Sequence, residues 1–299
     1  MNAVIGIVGC GNLGEAIARG LIESGVPASQ IVASHPRADR REQLTAGLKV
    51  RAVADNSEAV RVADVVLLGV KPQILPSVLP GIADAARGKL VVSLAAGTPL
   101  ASIAAALPGA RIVRAMPNTP AAVRAGATGL FAGEGVRDDD RARVSSVFDA
   151  MGISVWVPRE DLFHAVTGLS ACGPAFVFAV GEALADGGVA AGLPRALAAS
   201  LAAATIAGAG KMLQTGQHPG ALKDQVASAG GTTIHGLAAL EQSGVRGGVI
   251  AAVIAAAERS REMAESRPAP SAKAVARGRA GARRAKPRSR RTAPKRRRS

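Results

Sequence analysis

The strongest chemical signal in the chain is Gly9-Cys10-Gly11-Asn12-Leu13-Gly14, a GxGxxG turn. It directly follows an apolar run at residues 4–8 and opens a helical stretch at 13–24, the context in which this short motif becomes informative. Gly9 permits the tight turn, and Gly11 lets the backbone approach a pyrophosphate. Gly14 lets the helix pack on the sheet, while that helix's N-terminal amides face the anion. The turn therefore points to a bound dinucleotide and to redox chemistry.

About 20 residues past such a turn, NAD-binding chains place an acid that takes the ribose 2′-hydroxyl. This chain has Ser34-His35-Pro36-Arg37 there, with Arg40 and Arg41 close behind. Hydroxyl and cationic donors make charge-assisted bonds to a 2′-phosphate. Ser34, His35 and Arg37 thus favour NADPH over NADH, although the arginines would read equally as a solvated helix face.

A second candidate is Ser228-Ala229-Gly230-Gly231-Thr232-Thr233. Paired glycines let backbone amides converge on a carboxylate, and a helix beginning near Thr232 directs its positive end there. On composition alone the same string is also an ordinary helix-capping turn. No metal site is expected. His35, His164, His218 and His235 show no HxxxH spacing, and Glu182 with Asp186 reads as a polar helix face. Cys10 and Cys172 are the only cysteines. Their number and placement suit reduced thiols in a cytoplasm, with Cys172 a packing residue.

The formal charge of +15 is unevenly spread. Fourteen of the 37 Lys and Arg lie in residues 267–299, which leaves 23 against 22 acids in the body. That stretch is Arg/Ala/Pro/Lys low complexity, too polar to offset the entropy of ordering, and is expected to be disordered. No basic-then-apolar leader opens the chain. The longest weakly polar run, 196–210, falls short of the roughly 20 strongly apolar residues a bilayer span needs. A buried helix, no membrane and a cytoplasmic protein are the expectations.

The secondary structure that would hold these residues divides the chain. Near-continuous Val/Ile/Leu runs at 4–8, 31–33, 48–52, 65–70, 90–94 and 111–116 read as strands buried on both faces. Helical stretches such as 38–45 and 99–107 lie between them, the latter with Thr98 as N-cap and Pro99 at the first helical position. Two further strands, near 128–132 and 154–157, flank a helix at 138–151. The expected fold is α/β: an N-terminal Rossmann-type, doubly wound parallel sheet over 1–158, followed by an all-α unit over 159–266. Its helices fall near 161–169, 174–190, 194–215, 219–226, 232–243 and 246–265, punctuated by Pro and Gly. The tail occupies 267–299.

Six segments resemble the pyrroline-5-carboxylate reductase family, in that family's order. They are GVKPQ at 69–73, SLAAG at 93–97, MPNTP at 116–120, VTGLSACGPAF at 166–176, ALADGGVAAGLPR at 183–195 and QHPGALKDQVASAGGTTIHGLAALE at 217–241. The resemblance implies NADPH-dependent reduction of the cyclic imine Δ1-pyrroline-5-carboxylate to L-proline. It also implies a homodimer, with further assembly of dimers open, interlocked through the helical unit. The site would combine a cofactor unit with the helical unit's loop. Residue by residue, it implies that Ser228, Gly230, Gly231 and Thr232 hold the substrate carboxylate and that the Thr233 hydroxyl bonds the ring nitrogen. Asn56, Val70-Lys71-Pro72 and Ala95-Ala96-Gly97 would contact the dinucleotide, and Asn118 with Thr119 would border the nicotinamide. Gln225 stands where some members have Asn, and Ala229 where some have Pro; neither change removes a group the chemistry needs.

Two rivals carry less. A β-hydroxyacid dehydrogenase or broader imine reductase shares the architecture, but the hydroxyacid enzymes use a lysine in the first long helix after the Rossmann unit, and residues 166–187 contain none. The basic tail suggests weak, salt-dependent polyanion binding. With five Phe, one Trp and no Tyr, stacking platforms for single-stranded nucleic acid are not expected.

Overall fold

The computed structural model describes residues 3–265. The basic tail expected at 267–299 lies outside the described residues. The first half alternates β1 (Ile5–Val8), α1 (Asn12–Glu23), β2 (Ile31–Ser34), α2 (Ala38–Leu48), β3 (Arg51–Val53), α3 (Asn56–Val62), β4 (Val65–Leu68), α4 (Leu75–Ile82), β5 (Leu90–Ser93), α5 (Leu100–Ala106) and β6 (Arg111–Met116). Then come β7 (Gly126–Ala132), α6 (Asp138–Asp149) and β8 (Gly152–Trp156). One eight-stranded sheet runs in the order β3-β2-β1-β4-β5-β6-β7-β8. The order reverses at β1, so the β1 and β4 ends form the crevice in which doubly wound sheets bind ligands.

Strands β1, β2, β4 and β5 are buried at every residue, as their unbroken apolar runs require. Ile17, Leu21, Leu44, Val144 and Phe148 cover one face, while Val60, Leu75, Leu79 and Ile103 cover the other. Each such side chain contributes about 1.5–3 kcal/mol on burial.

Three local expectations change. The sheet is not wholly parallel, because β7 runs antiparallel to β6. Their link holds only a 3₁₀ turn at Thr119–Val123, too short for the crossover of a dozen or more residues that parallel pairing needs. The run at 48–52 is not one strand: Leu48 closes α2, Lys49 takes a left-handed φ of 59°, and β3 starts at Arg51. Leu48 and Val50 are buried from either side of that turn, which gives the run its strand-like apolarity. Finally, Pro99 is itself the N-cap of α5 and Thr98 lies outside the helix.

From Glu160 the chain is helical. A 3₁₀ turn at Glu160–Leu162 leads into α7 (Phe163–Val166), a π turn at Thr167–Ala171, α8 (Gly173–Ala190), α9 (Arg195–Leu213), α10 (Pro219–Gln225), α11 (Thr232–Gln242) and α12 (Val245–Glu265). Helices α8 and α9 pack on each other, and α12 packs on α7 and the π turn. This half has almost no core of its own. Among its described residues the buried hydrophobic side chains are Phe163, Ala185, Ala198 and Ala202. Leu169 and Phe178 are 67% and 68% exposed. Contrary to expectation, Glu160–Ala190 and Arg195–Leu213 are long and apolar enough to cross a bilayer by length and composition. Apolar surface on this scale needs a cover.

A buried ion pair fastens α6 to the sheet. Asp140, with a fully buried side chain, accepts two bonds from the Arg111 guanidinium (2.6 and 3.1 Å) and one from the Arg137 amide (3.2 Å). Burial pushes its carboxyl up, but those donors outweigh burial and hold it below the ordinary carboxylate range. Its stabilising effect is therefore complete above the unfolded value near pH 4 and is lost as pH falls through the depressed folded value. Replacing Arg111 with Met strands a buried charge and should lower unfolding free energy by about 2–3 kcal/mol at pH 7. In urea titrations the gap to the native chain should narrow toward pH 3.

Candidate active site

At the end of β1 the chain turns at Gly9, whose φ of +79° an L side chain rarely adopts. A Cβ there would also lie 2.3 Å from Val70 Cγ1, because β1 and β4 end side by side. A Cβ at Gly14 would come within 3.1 Å of Ile7 Cγ2 and 3.3 Å of Cys10 Sγ, so this glycine sets the approach of α1 to β1. Gly11 differs: a Cβ there would meet no atom within 4 Å, so packing does not require a glycine at that position. It is the N-cap of α1, and among the described residues no side chain caps that end. The first-turn amides at Asn12, Leu13 and Gly14, under an open glycine, make a cradle that suits a pyrophosphate.

Cys10 adds no donor to that cradle. Its amide bonds the Ser34 carbonyl at 2.9 Å, and its thiol is buried, which pushes it up to about 12. The turn takes its shape from beneath it. The fully buried Ser34 hydroxyl accepts the Gly9 N–H (3.2 Å) and donates to Asn56 Oδ1 (2.7 Å). Ser34 therefore holds the ends of β1, β2 and α3 together, in place of the outward role its sequence position suggests.

The remaining strand-two residues also arrive with partners. Arg37 is paired with Asp39, an acid that lies just beyond the strand end and so escapes a search confined to it. Arg40 pairs with Glu15 of α1. Arg41 donates to the carbonyls of His35 (2.9 Å) and Pro36 (2.8 Å). Burial holds the His35 imidazole below its ordinary value, against the Arg37 N–H that bonds its Nδ1. The Arg37–Asp39 pair is exposed, so solvent screens it and it competes weakly with a bound phosphate.

Asn56 opens α3, Val70-Lys71-Pro72 follow β4, and Ala95-Ala96-Gly97 follow β5, all at the C-terminal edge of the sheet. Ser93 Oγ accepts the Ala95 N–H at 3.3 Å, and Gly97 takes a φ of +67°. Asn118 follows β6 but is engaged inward: its Oδ1 accepts the Ala127 N–H (2.9 Å) and its Nδ2 donates to the Ser170 carbonyl (3.1 Å). It braces β6 and β7 against the π turn. Ser170 and Glu160, the other residues at this junction, carry no sequence signal, because their partners lie 40–60 residues away in the chain.

The loop before α11 closes on itself. Gly231 N–H bonds the Ser228 carbonyl at 3.1 Å, Gly230 takes a φ of +68°, and a Cβ at Gly231 would strike Ser228 Oγ at 2.3 Å. Gly231 is the N-cap, and among the described residues no side chain caps α11. Ser228, Gly230 and Thr232 are exposed, while Gly231 and Thr233 are half-buried. Helix α11 packs chiefly on α12. The loop and the sheet edge are each well formed.

Sheet, turn and open edge define a dinucleotide-binding Rossmann unit joined to a helical unit that lacks its own core. Residues 160–263 match the family model for pyrroline-5-carboxylate reductase dimerisation, and residues 4–97 match that for NADP oxidoreductase, coenzyme F420-dependent. A pyrroline-5-carboxylate reductase from Synechocystis is 46% identical over 265 residues, which are 88% of this chain and 99% of the relative. Among solved structures, the reductase from Coxiella burnetii superposes with a TM-score of 0.85 at 37% identity, covering 88% of this chain and 98% of that one. The Plasmodium falciparum pyrroline carboxylate reductase with NADP bound gives 0.76 at 31%, with the same coverage.

The chain belongs to the pyrroline-5-carboxylate reductase family. Its helical half matches the family's dimerisation unit, and the apolar surface of α8 and α9 lies within that match.

Gly9 and Gly11 should separate on substitution. Gly9→Ala forces a strained φ and a clash, and should cost about 2 kcal/mol or more in unfolding free energy. Gly11→Asp introduces a good N-cap into open space and should change stability by less than about 1 kcal/mol, as read by thermal melting of both variants.

Proposed function

We propose that this protein reduces Δ1-pyrroline-5-carboxylate to L-proline with NADPH, the last step of proline biosynthesis, as a soluble cytoplasmic homodimer. The observation that carries the reading is the pair of open helix N-termini, α1 behind Gly9–Gly14 and α11 behind Ser228–Gly231, in a chain of this family. One suits the pyrophosphate of a dinucleotide and the other the carboxylate of a small substrate. When bound, NADPH supplies the hydride.

The chain's own part is binding and orientation. Amides of Asn12, Leu13 and Gly14 hold the pyrophosphate. Arg37 and Arg41 face the 2′-phosphate, Arg37 exchanging its bond to Asp39 for the stronger one. Residues 70–72 and 95–97 line the edge toward the nicotinamide. Ser228, Gly230, Gly231 and Thr232 bind the substrate carboxylate. The Thr233 hydroxyl holds the ring nitrogen and relays to it a proton from water, which leaves C5 as the acceptor of the hydride. No strong acid side chain is needed, because the imine nitrogen is basic enough to take the proton through that relay. Helix α8, the first long helix after the sheet, contains no lysine, which disfavours alcohol oxidation. The match of the helical half to a dimerisation unit supports a site that the partner's packing completes. Further assembly of dimers is compatible with this arrangement.

Three measurements test the reading. Loss of NADPH absorbance on adding pyrroline-5-carboxylate is the expected activity, and absence of turnover with either NADPH or NADH would refute it. Thr233→Ala should lower kcat/KM by about 10- to 100-fold with NADPH affinity changed less than about twofold; unchanged turnover would assign the nitrogen to another group. Arg37→Ala should raise KM for NADPH about three- to tenfold and leave KM for NADH unmoved.

A further inference from the structure

Glu160 stands where the sheet half passes into the helices. Its Oε1 accepts the Leu100 N–H at 2.7 Å and the Arg114 guanidinium at 2.6 Å. Arg114 belongs to β6, is only 12% exposed, and lies 4.5 Å over the ring of the buried Phe163. Leu100 is the first residue of α5, and its N-cap, Pro99, supplies no side-chain acceptor. The cap of α5 therefore comes from the first residue of the helical half. Between Ser93, which holds Ala95 from below, and Leu100, which Glu160 holds from the far side, runs the short loop Ala95-Ala96-Gly97.

We infer that Glu160 is a positioning residue for the cofactor: it fixes the 95–97 loop and couples that loop's pose to the packing of the helical half. The carboxylate reaches both groups through one oxygen. Moving the start of the helical unit relative to β6 therefore moves the N-terminus of α5, and with it the loop. Arg114 stacked on Phe163 keeps the carboxylate from swinging into solvent, so the tie is short, partly desolvated and charge-assisted. The inference rests on residues 95–97 contacting the dinucleotide.

Full-length Glu160→Ala, Glu160→Gln and Ala96→Asp proteins should be compared by steady-state kinetics, dimer mass and melting temperature. Glu160→Ala is expected to raise KM for NADPH about five- to tenfold, with kcat and KM for pyrroline-5-carboxylate within about twofold. Glu160→Gln, whose amide oxygen still accepts both donors, should restore most of that loss. Ala96→Asp, which sets a carboxylate on the loop, should raise KM for NADPH by at least as much. Should Glu160→Ala fail to fold, Arg114→Met retains the Leu100 cap and should give a rise of about two- to threefold. A purely structural Glu160 would lower the melting temperature and leave the NADPH KM unmoved; that outcome, with Ala96→Asp still impaired, overturns the inference alone. An unimpaired Ala96→Asp overturns the cofactor role of the loop and the inference together.

Discussion

Helices α8, α9, α11 and α12 carry more apolar side chain than one copy of the chain can bury. Four buried hydrophobic residues against long rows of exposed Leu, Ile, Val and Phe leave this half without a core. This half matches a dimerisation unit, and much else follows from its missing cover. Small residues along α8 and α9 permit close approach of backbones. The same composition makes Glu160–Ala190 and Arg195–Leu213 resemble bilayer spans. Apolarity by length cannot distinguish lipid from a partner helix, since both are covers for the same kind of surface.

The Rossmann half solves the opposite problem. Its central strands are buried on both faces, so it stands on its own core and can hold an exposed edge in fixed geometry. Buried polar groups brace both ends of the strands. At the cofactor edge Ser34 holds the glycine turn and Asn56, and Ser93 holds the loop after β5, while at the opposite end Asp140 ties α6 to β6 through Arg111. A buried hydroxyl without a partner would cost about 1–3 kcal/mol, which is why these side chains are engaged within the fold.

The loop before α11 has no such scaffold beneath it. Its shape comes from its own glycines and one bond between Gly231 and Ser228. A loop of this kind is positioned by whatever packs around it. The cofactor edge, by contrast, rests on the sheet's internal core.

Architecture and ligand class are legible in the order of residues alone. Unbroken apolar runs read as strands covered on both faces, which holds for all but the run at 48–52, and a GxGxxG after the first of them leaves little else for that turn to do. The loop at Ser228–Thr233 is legible too, through the family string around it. Where period and punctuation are local, the elements fall within a residue or two of their expected bounds, as for β6 and α9. Which polar atoms are free, by contrast, is settled only when the chain folds. Ser34 and Cys10 lie at the motif yet face inward, Asn118 is consumed by Ala127 and Ser170, and Arg37 meets Asp39. Glu160 shows nothing in the chain, because the amide it caps and the guanidinium it holds are brought to it by the fold. The identity of a residue records what it could bond; the partner that claims it first is a matter of distance in space.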